Sequence, residues 1–287
     1  MSNALRLARG TFGRVALLDM DRSLVRHAHP HCHMLLKVEG ADTQFSVGDR
    51  IVALTDEQAV LINAWEPHSY AHYVGQPATI ILALYIEPDW LGAFRANWQA
   101  SSGPGFFRSN VGTVSPGIRQ KARRLAEAMV GDPGDLAEHE RLLGQLMVAV
   151  IERFTEWQAA LPSLRMAAGF GIDHRVRKAI SIMRTDPAGV DDMTRLARDI
   201  GLSRAHFFRL FETTMHVSPR VYLNVVRLEQ AVNFIVDSDA SLATISERLG
   251  FSVPAHFSRF FHDHAGSSPS TYRAVSSLRG CDFETLG

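Results

Sequence analysis

The chain has 287 residues, of which 46% are hydrophobic and 21% charged, and its 30 Lys+Arg are balanced by 30 Asp+Glu. That composition fits a soluble globular protein of about two domains and excludes disordered and fibrous classes. Zero net charge announces no nucleic-acid partner, no apolar run reaches the ~18 residues that span a bilayer, and Met1 to Gly13 holds no signal-peptide core. Cys32 and Cys281 are too few for a disulfide framework, so a reducing cytoplasm is the expected setting.

Residues 11–90 read as short strands. Phe12 to Leu18, Met34 to Val38, Phe45 to Asp49, Val60 to Ile62 and Thr79 to Ile86 are apolar runs divided by turn signals at Glu39-Gly40, Gly48-Asp49, Glu66-Pro67 and Gln76-Pro77. Their spacing predicts an antiparallel sandwich or barrel. Residues 91–112 read as loop, centred on Ser101 to Gly105. From Ser115 the period becomes helical: Ile118, Ala122, Leu125 and Met129, then Leu136, Leu143, Leu146, Val150, Phe154 and Trp157. This predicts a helical hairpin over 115–158, with the second stripe free to face another copy of the chain. A linker is expected at Ala167 to Gly171, and helix beyond 172.

The last 110 residues contain an internal repeat. Gly201-Leu202-Ser203-Arg204-Ala205-His206-Phe207-Phe208-Arg209-Leu210-Phe211 returns as Gly250-Phe251-Ser252-Val253-Pro254-Ala255-His256-Phe257-Ser258-Arg259-Phe260-Phe261, with one extra residue early in the second copy. Each copy ends in Ser-Pro and a tyrosine three residues on, Ser218-Pro219 with Tyr222 and Ser268-Pro269 with Tyr272. Each unit reads as helix, glycine turn, helix. Met193, Leu196, Ala197 and Ile200 face inward, then Phe207, Leu210 and Phe211; the second copy uses Leu242, Ile245 and Leu249, then Phe257, Phe260 and Phe261. Ser203 and Ser252 are expected N-caps, and Pro254 sits in a first turn. A second helix with a polar outer face can enter the DNA major groove. The apolar connector from Pro219 to about Asp237 would span ~28 Å as a helix, near the ~34 Å of one DNA turn.

On these residues the stretch 172–275 resembles the DNA-binding domain of AraC/XylS-type bacterial transcription regulators. The resemblance includes Arg227-Leu228 and Ala231 in the connector and the closing Ser268 to Arg273. It implies base contacts from the second helix of each unit: Ala205, His206, Phe208 and Arg209, then Pro254, Ala255, His256, Ser258 and Arg259. Arg204, Arg220, Arg227, Arg248 and Arg273 are the expected phosphate contacts. His216 stands where the second copy has Gly266, at a helix end that wants a left-handed residue.

Histidines cluster in the N-terminal part. His27, His29, His31 and His33 share parity, so on a strand they would project from one face, and His68 follows in Trp65-Glu66-Pro67-His68-Ser69-Tyr70. Their order resembles the cupin-like sensory domain that precedes this type of DNA-binding domain. An effector pocket is expected from His29, His31, His33, Trp65, His68 and Tyr70. Metal-binding cupins carry a carboxylate four residues after the histidine pair; here that place holds Leu35 or Lys37, so no metal is expected, and His29, His31 and His68 are the alternative metal set. Cys32 points away from the histidines.

The expectation is therefore an α+β chain: a cupin-like effector-sensing β-barrel at 1–112, a helical dimerisation hairpin and linker at 113–170, a double helix-turn-helix domain at 171–277 and a tail at 278–287. The expected function is sequence-specific transcription regulation in response to a small-molecule effector. Expected partners are a double-stranded DNA operator, the effector, a second copy of the chain and, for an activator, RNA polymerase. Neither cofactor, membrane nor catalysis is expected. The alternatives are a metal-dependent cupin enzyme and a regulator with no ligand.

Overall fold

The structure, a computed structural model, describes residues 3–73, 75, 77–94, 98, 101, 105–155, 173–215 and 217–276. The expected linker, Trp157, His216 and the tail lie outside the described residues. Among those described, one antiparallel sheet has the order β1 (Asn3–Gly10), β2 (Gly13–Met20), β9 (Thr79–Ile86), β4 (His33–Gly40), β7 (Gln58–Ile62), β10 (Val111–Thr113). A smaller antiparallel sheet has the order β3 (Leu24–His27), β8 (His68–Tyr70), β5 (Thr43–Val47), β6 (Arg50–Leu54).

The continuous apolar runs have a simple cause: the central strands of the large sheet are buried on both faces. Ala16, Leu18, Leu35, Ile81 and Ala83 face the small sheet and meet Phe45, Val52, Leu54 and Tyr70. Val15, Leu17, Met34, Leu36, Leu82 and Leu84 face the other way, onto two helices. These are α2 (Pro116–Gly131) and α3 (Leu136–Phe154), which follow the short α1 (Pro88–Phe94). Ser115 and Asp135 cap α2 and α3 by accepting from Ile118 and Glu138 backbone N–H groups.

The hairpin thus forms where the helical period placed it, but its stripe has another use. Leu146 and Val150 are fully buried within the chain, in the same core as the outer face of the large sheet. They are not available to a partner copy, and charge placed there would break the fold.

The helices after 172 are α4 (His174–Thr185), α5 (Met193–Asp199), α6 (Arg204–Met215), α7 (Pro219–Asp237), α8 (Leu242–Arg248), α9 (Pro254–Ala265) and α10 (Pro269–Ser276). The connector is one 19-residue helix, α7, capped by Ser218. It divides two cores, one around Phe207, Phe211 and Tyr222 and the other around Phe257, Phe261 and Tyr272.

Candidate nucleic-acid interface and histidine site

In both units the turn closes the same way. Gly201 and Gly250 have φ of 76° and 77°, the left-handed region that a Cβ disfavours. Gly201 and Leu202 donate their N–H groups to Arg198 and Ala197 carbonyls; Gly250 and Phe251 donate to Glu247 and Ser246. The starts of the second helices differ. Ser203 accepts from the His206 N–H at 3.3 Å, as expected. Ser252 caps nothing: the extra residue puts Val253 at the N-cap of α9 with no side-chain bond, and Pro254 fills the first helical position.

The outer faces match. Phe207, Phe211, Phe257 and Phe261 are 0% exposed and form the backing. Ala205, His206 and Arg209 are exposed on α6 beside half-buried Phe208. Pro254, Ala255, His256 and Arg259 are exposed on α9 beside half-buried Ser258. Arg204, Arg220 and Arg248 are exposed as well.

Arg227 and Arg273 are placed otherwise. Arg227 donates to the carbonyls of Pro187 and Val190, and Arg273 to those of Ile235 and Ala240. Both clamp the loop that leads into the first helix of a unit. Sequence reasoning could not see this, because a guanidinium that staples backbone carbonyls and one that meets phosphate look alike in one dimension.

The histidines converge at the mouth of the sandwich. His27 and His68 are directly paired across β3 and β8, and His33 faces Tyr85 across β4 and β9. His29 enters from the loop between β3 and β4. The ring of His68 lies 4.4 Å from that of His27, 5.1 Å from that of His29 and 5.4 Å from that of His33. Tyr85 covers the group, with centroids 4.1 Å from His33 and 4.8 Å from His29. Burial, followed by mutual repulsion, holds His27, His29 and His33 well below the usual imidazole range; burial puts His68 at about 3. All four are neutral at neutral pH.

The expected pocket set is divided by the structure. His29, His33 and His68 come together, and His27 joins them. His31 does not: the chain leaves strand geometry after His27, parity is lost, and His31 turns to within 3.7 Å of Glu87. It lines a cleft of about 110 Å3 with Arg14, Tyr85, Glu87 and Glu229. Tyr70 is buried inside the sandwich, its hydroxyl 3.1 Å from His72 Nδ1. Cys32 is buried on the helix side of the large sheet, and burial raises its thiol to about 12.

Trp65 leaves the pocket altogether. Its backbone has φ of 63°, its N–H donates to the His29 carbonyl at 2.7 Å, and its ring stacks on Tyr222 at 4.6 Å and 13°. It belongs to a seam between the domains. Arg14 stacks on Tyr85 at 3.9 Å and donates to the Tyr272 hydroxyl at 3.1 Å. Arg9 donates to Asp237 and Asn233, and His264 of α9 lies 6.3 Å from His27. Thus both repeat tyrosines touch the N-terminal domain. Arg14, Tyr85 and His264 carry no motif and were invisible in sequence; parity grouped His27 with its neighbours but did not place it in the pocket.

Comparison with known proteins agrees with this architecture. Residues 16–147 match the AraC-like ligand binding domain and residues 196–274 a helix-turn-helix domain. An uncharacterised helix-turn-helix transcriptional regulator of Haemophilus influenzae is 27% identical over 154 residues, 54% of this chain and 51% of that protein. The transcriptional regulator LumQ of Photobacterium leiognathi is 21% identical over 257 residues, 88% of this chain and 94% of that one. The chain spans about half the length of the first of these relatives. ToxT from Vibrio cholerae, solved with an unsaturated fatty acid bound, shares the fold with a TM-score of 0.52 at 11% identity, covering 95% of this chain and 96% of that one. A two-sheet ligand-binding domain and a helical hairpin are followed by a doubled helix-turn-helix domain, the arrangement of AraC-type transcription regulators, whose ligand-binding and helix-turn-helix models match these two parts of the chain.

Proposed function

We propose that the chain is a sequence-specific DNA-binding transcription regulator, acting without catalysis in the cytoplasm, whose N-terminal domain senses a small ligand and passes its state to two reading helices. The observation that carries this is the repeated exposed set, Ala205, His206 and Arg209 on α6 and Ala255, His256 and Arg259 on α9, each over fully buried phenylalanines. Arg suits the guanine edge, alanine and phenylalanine suit the thymine methyl, and exposed Arg204, Arg220 and Arg248 suit phosphate. The α7 connector spans ~28 Å, so the two helices can address successive major grooves.

ToxT was solved with a fatty acid. Here Leu18, Phe45, Leu54, Tyr70 and Ile81 fill the space between the sheets, which favours a small polar ligand at the histidine mouth over an acyl chain. A homodimer would use the polar outer face of the hairpin, since its apolar stripe is buried within the chain. Contact with RNA polymerase belongs to this reading if the protein activates. Selection of bound fragments from the genome of the source bacterium tests it. One enriched motif with two half-sites about one turn apart is the expected outcome; fragments retained without any common motif would refute sequence-specific regulation.

A further inference from the structure

We propose that His27, His29 and His68, with His33 within reach as a fourth imidazole, bind a borderline transition-metal dication of the Zn2+ class. One ring nitrogen from each of the first three lies within 4.8 Å of the others. An ion at 2.0–2.1 Å from each would hold them about 3.3 Å apart, so closing the site takes small side-chain rotations. The three ring centroids lie 4.4, 4.9 and 5.1 Å apart, a spacing that suits an ion among them.

Three ring nitrogens are left free at this one point. His29 is 2% exposed and neither of its ring nitrogens has a partner; His68 Nε2 is likewise buried and unpartnered. Buried polar atoms nearly always find partners, so three such atoms at one point mark a missing ligand. The other nitrogens set the tautomers. His27 Nδ1 meets the Val25 carbonyl at 2.7 Å, His68 Nδ1 that of Glu66 at 3.0 Å and His33 Nδ1 that of Leu84 at 3.2 Å. A carbonyl only accepts, so each Nδ1 carries the proton and each Nε2 keeps its lone pair. Outer-shell bonds of this kind orient metal-ligating histidines. Imidazole-only donor sets suit Zn, Cu, Fe and Ni rather than Mg or Ca.

Three imidazoles make a donor set without a carboxylate, and the His33 ring lies 5.1 Å from that of His29 and 5.4 Å from that of His68. Arg14, beyond Tyr85, opposes the added charge, and Glu87 and Glu229 in the adjoining cleft offset it. The site also lies on the seam. The His29 carbonyl holds Trp65, which stacks on Tyr222 of the first unit, and His27 faces His264 of the second. An ion that draws His27, His29 and His68 together therefore acts on both contacts. This consequence rests on the DNA-binding reading; the site itself does not.

The test is metal uptake by the full chain, stripped with EDTA and then dialysed against ZnCl2, with CoCl2 as an optical probe. One ion per protomer is expected, with visible Co2+ absorption of nitrogen ligation and a higher melting temperature. His27→Gln and His68→Gln should each weaken Zn2+ binding by more than ~100-fold, beyond the loss typical of an outer-shell partner. His31→Ala, at the cleft rim, should keep the ion. Uptake unchanged in the His27→Gln/His68→Gln double variant would put the ion elsewhere and overturn the proposal. Should those variants fail to fold, the unaltered chain decides: no Co2+ band and no retained Zn2+ overturn it. Uptake is measured without DNA, so a failure of the DNA-binding reading leaves this test intact.

Discussion

The two helix-turn-helix units present nearly the same reading face but are held by different neighbours. α6 is packed among α4, α5 and α7, whereas α9 packs on β3 and the following α10 on β1. Tyr222 accepts from Arg184 within its own domain at 2.8 Å, and Tyr272 accepts from Arg14 of the N-terminal domain at 3.1 Å. A Cβ added at Gly266, at the end of α9, would lie 3.5 Å from Leu24 of β3. A sequence repeat therefore preserves the backing of a reading helix without preserving its freedom. Unit two is tied to the sensory domain by its helix; unit one is tied mainly through Trp65.

The largest test of this contrast removes the backing. Phe207→Ala and Phe257→Ala each empty a fully buried site and should cost about 3–5 kcal/mol by urea unfolding. Equal losses fit two equivalent cores; a much smaller loss for Phe257 would mean that the sensory domain supports unit two in its place.

Acid acts next, on the histidines beside α9. Their folded-state values lie below the ordinary value near 6.5, so the unfolded chain takes up protons first. Stability of the chelator-treated chain should therefore be full above about pH 6.5 and fall below it, continuing toward pH 3 for His68. Each histidine contributes a slope of up to about 1.4 kcal/mol per pH unit. A urea midpoint that stays flat from pH 7 down to pH 5 would contradict the buried neutral cluster.

Arg14→Ala cuts one tie alone. Losing a charged donor to a buried hydroxyl costs about 1.5–3 kcal/mol. Amide exchange should rise in α9 and α10 and stay unchanged in α6. Uniform exchange across both units would erase the distinction drawn above.

Readout separates the units more finely. Arg209→Ala and Arg259→Ala should each relax base preference in its own half-site by about 1–3 kcal/mol of discrimination. Binding to single-base variants of a selected operator measures this; equal weakening on every variant would reduce either arginine to a phosphate contact.

The smallest effect distinguishes two kinds of arginine. Arg204→Ala should lower the slope of log affinity against log salt by about one unit. Arg227→Ala should leave that slope alone and lower the melting temperature, because its guanidinium holds the Pro187 and Val190 carbonyls. A salt slope that falls with Arg227→Ala would return that residue to the DNA-facing set.

Much of this was legible in one dimension, because it rests on spacing. The helical period of 115–154, the Gly201 and Gly250 turns, the Ser203 cap and the inward phenylalanines all follow from local geometry, where neighbours in sequence are neighbours in space. The strands β1, β3, β6, β8 and β10 were not; β3, β8 and β10 are only three or four residues long and carry too little pattern, while β1 and β6 mix charged with apolar residues. Parity grouped His31 with His29, and a loop beginning after His27 undid it. The repeat and its glycine turns determined the doubled reading helix. Only the tertiary structure decided that Leu146 and Val150 are already covered, that Arg227 faces inward, that Trp65 meets Tyr222, and that His27 completes the histidine group. Each of these depends on which surface meets which across the chain, and a contact between distant residues leaves no periodic trace in either segment that makes it.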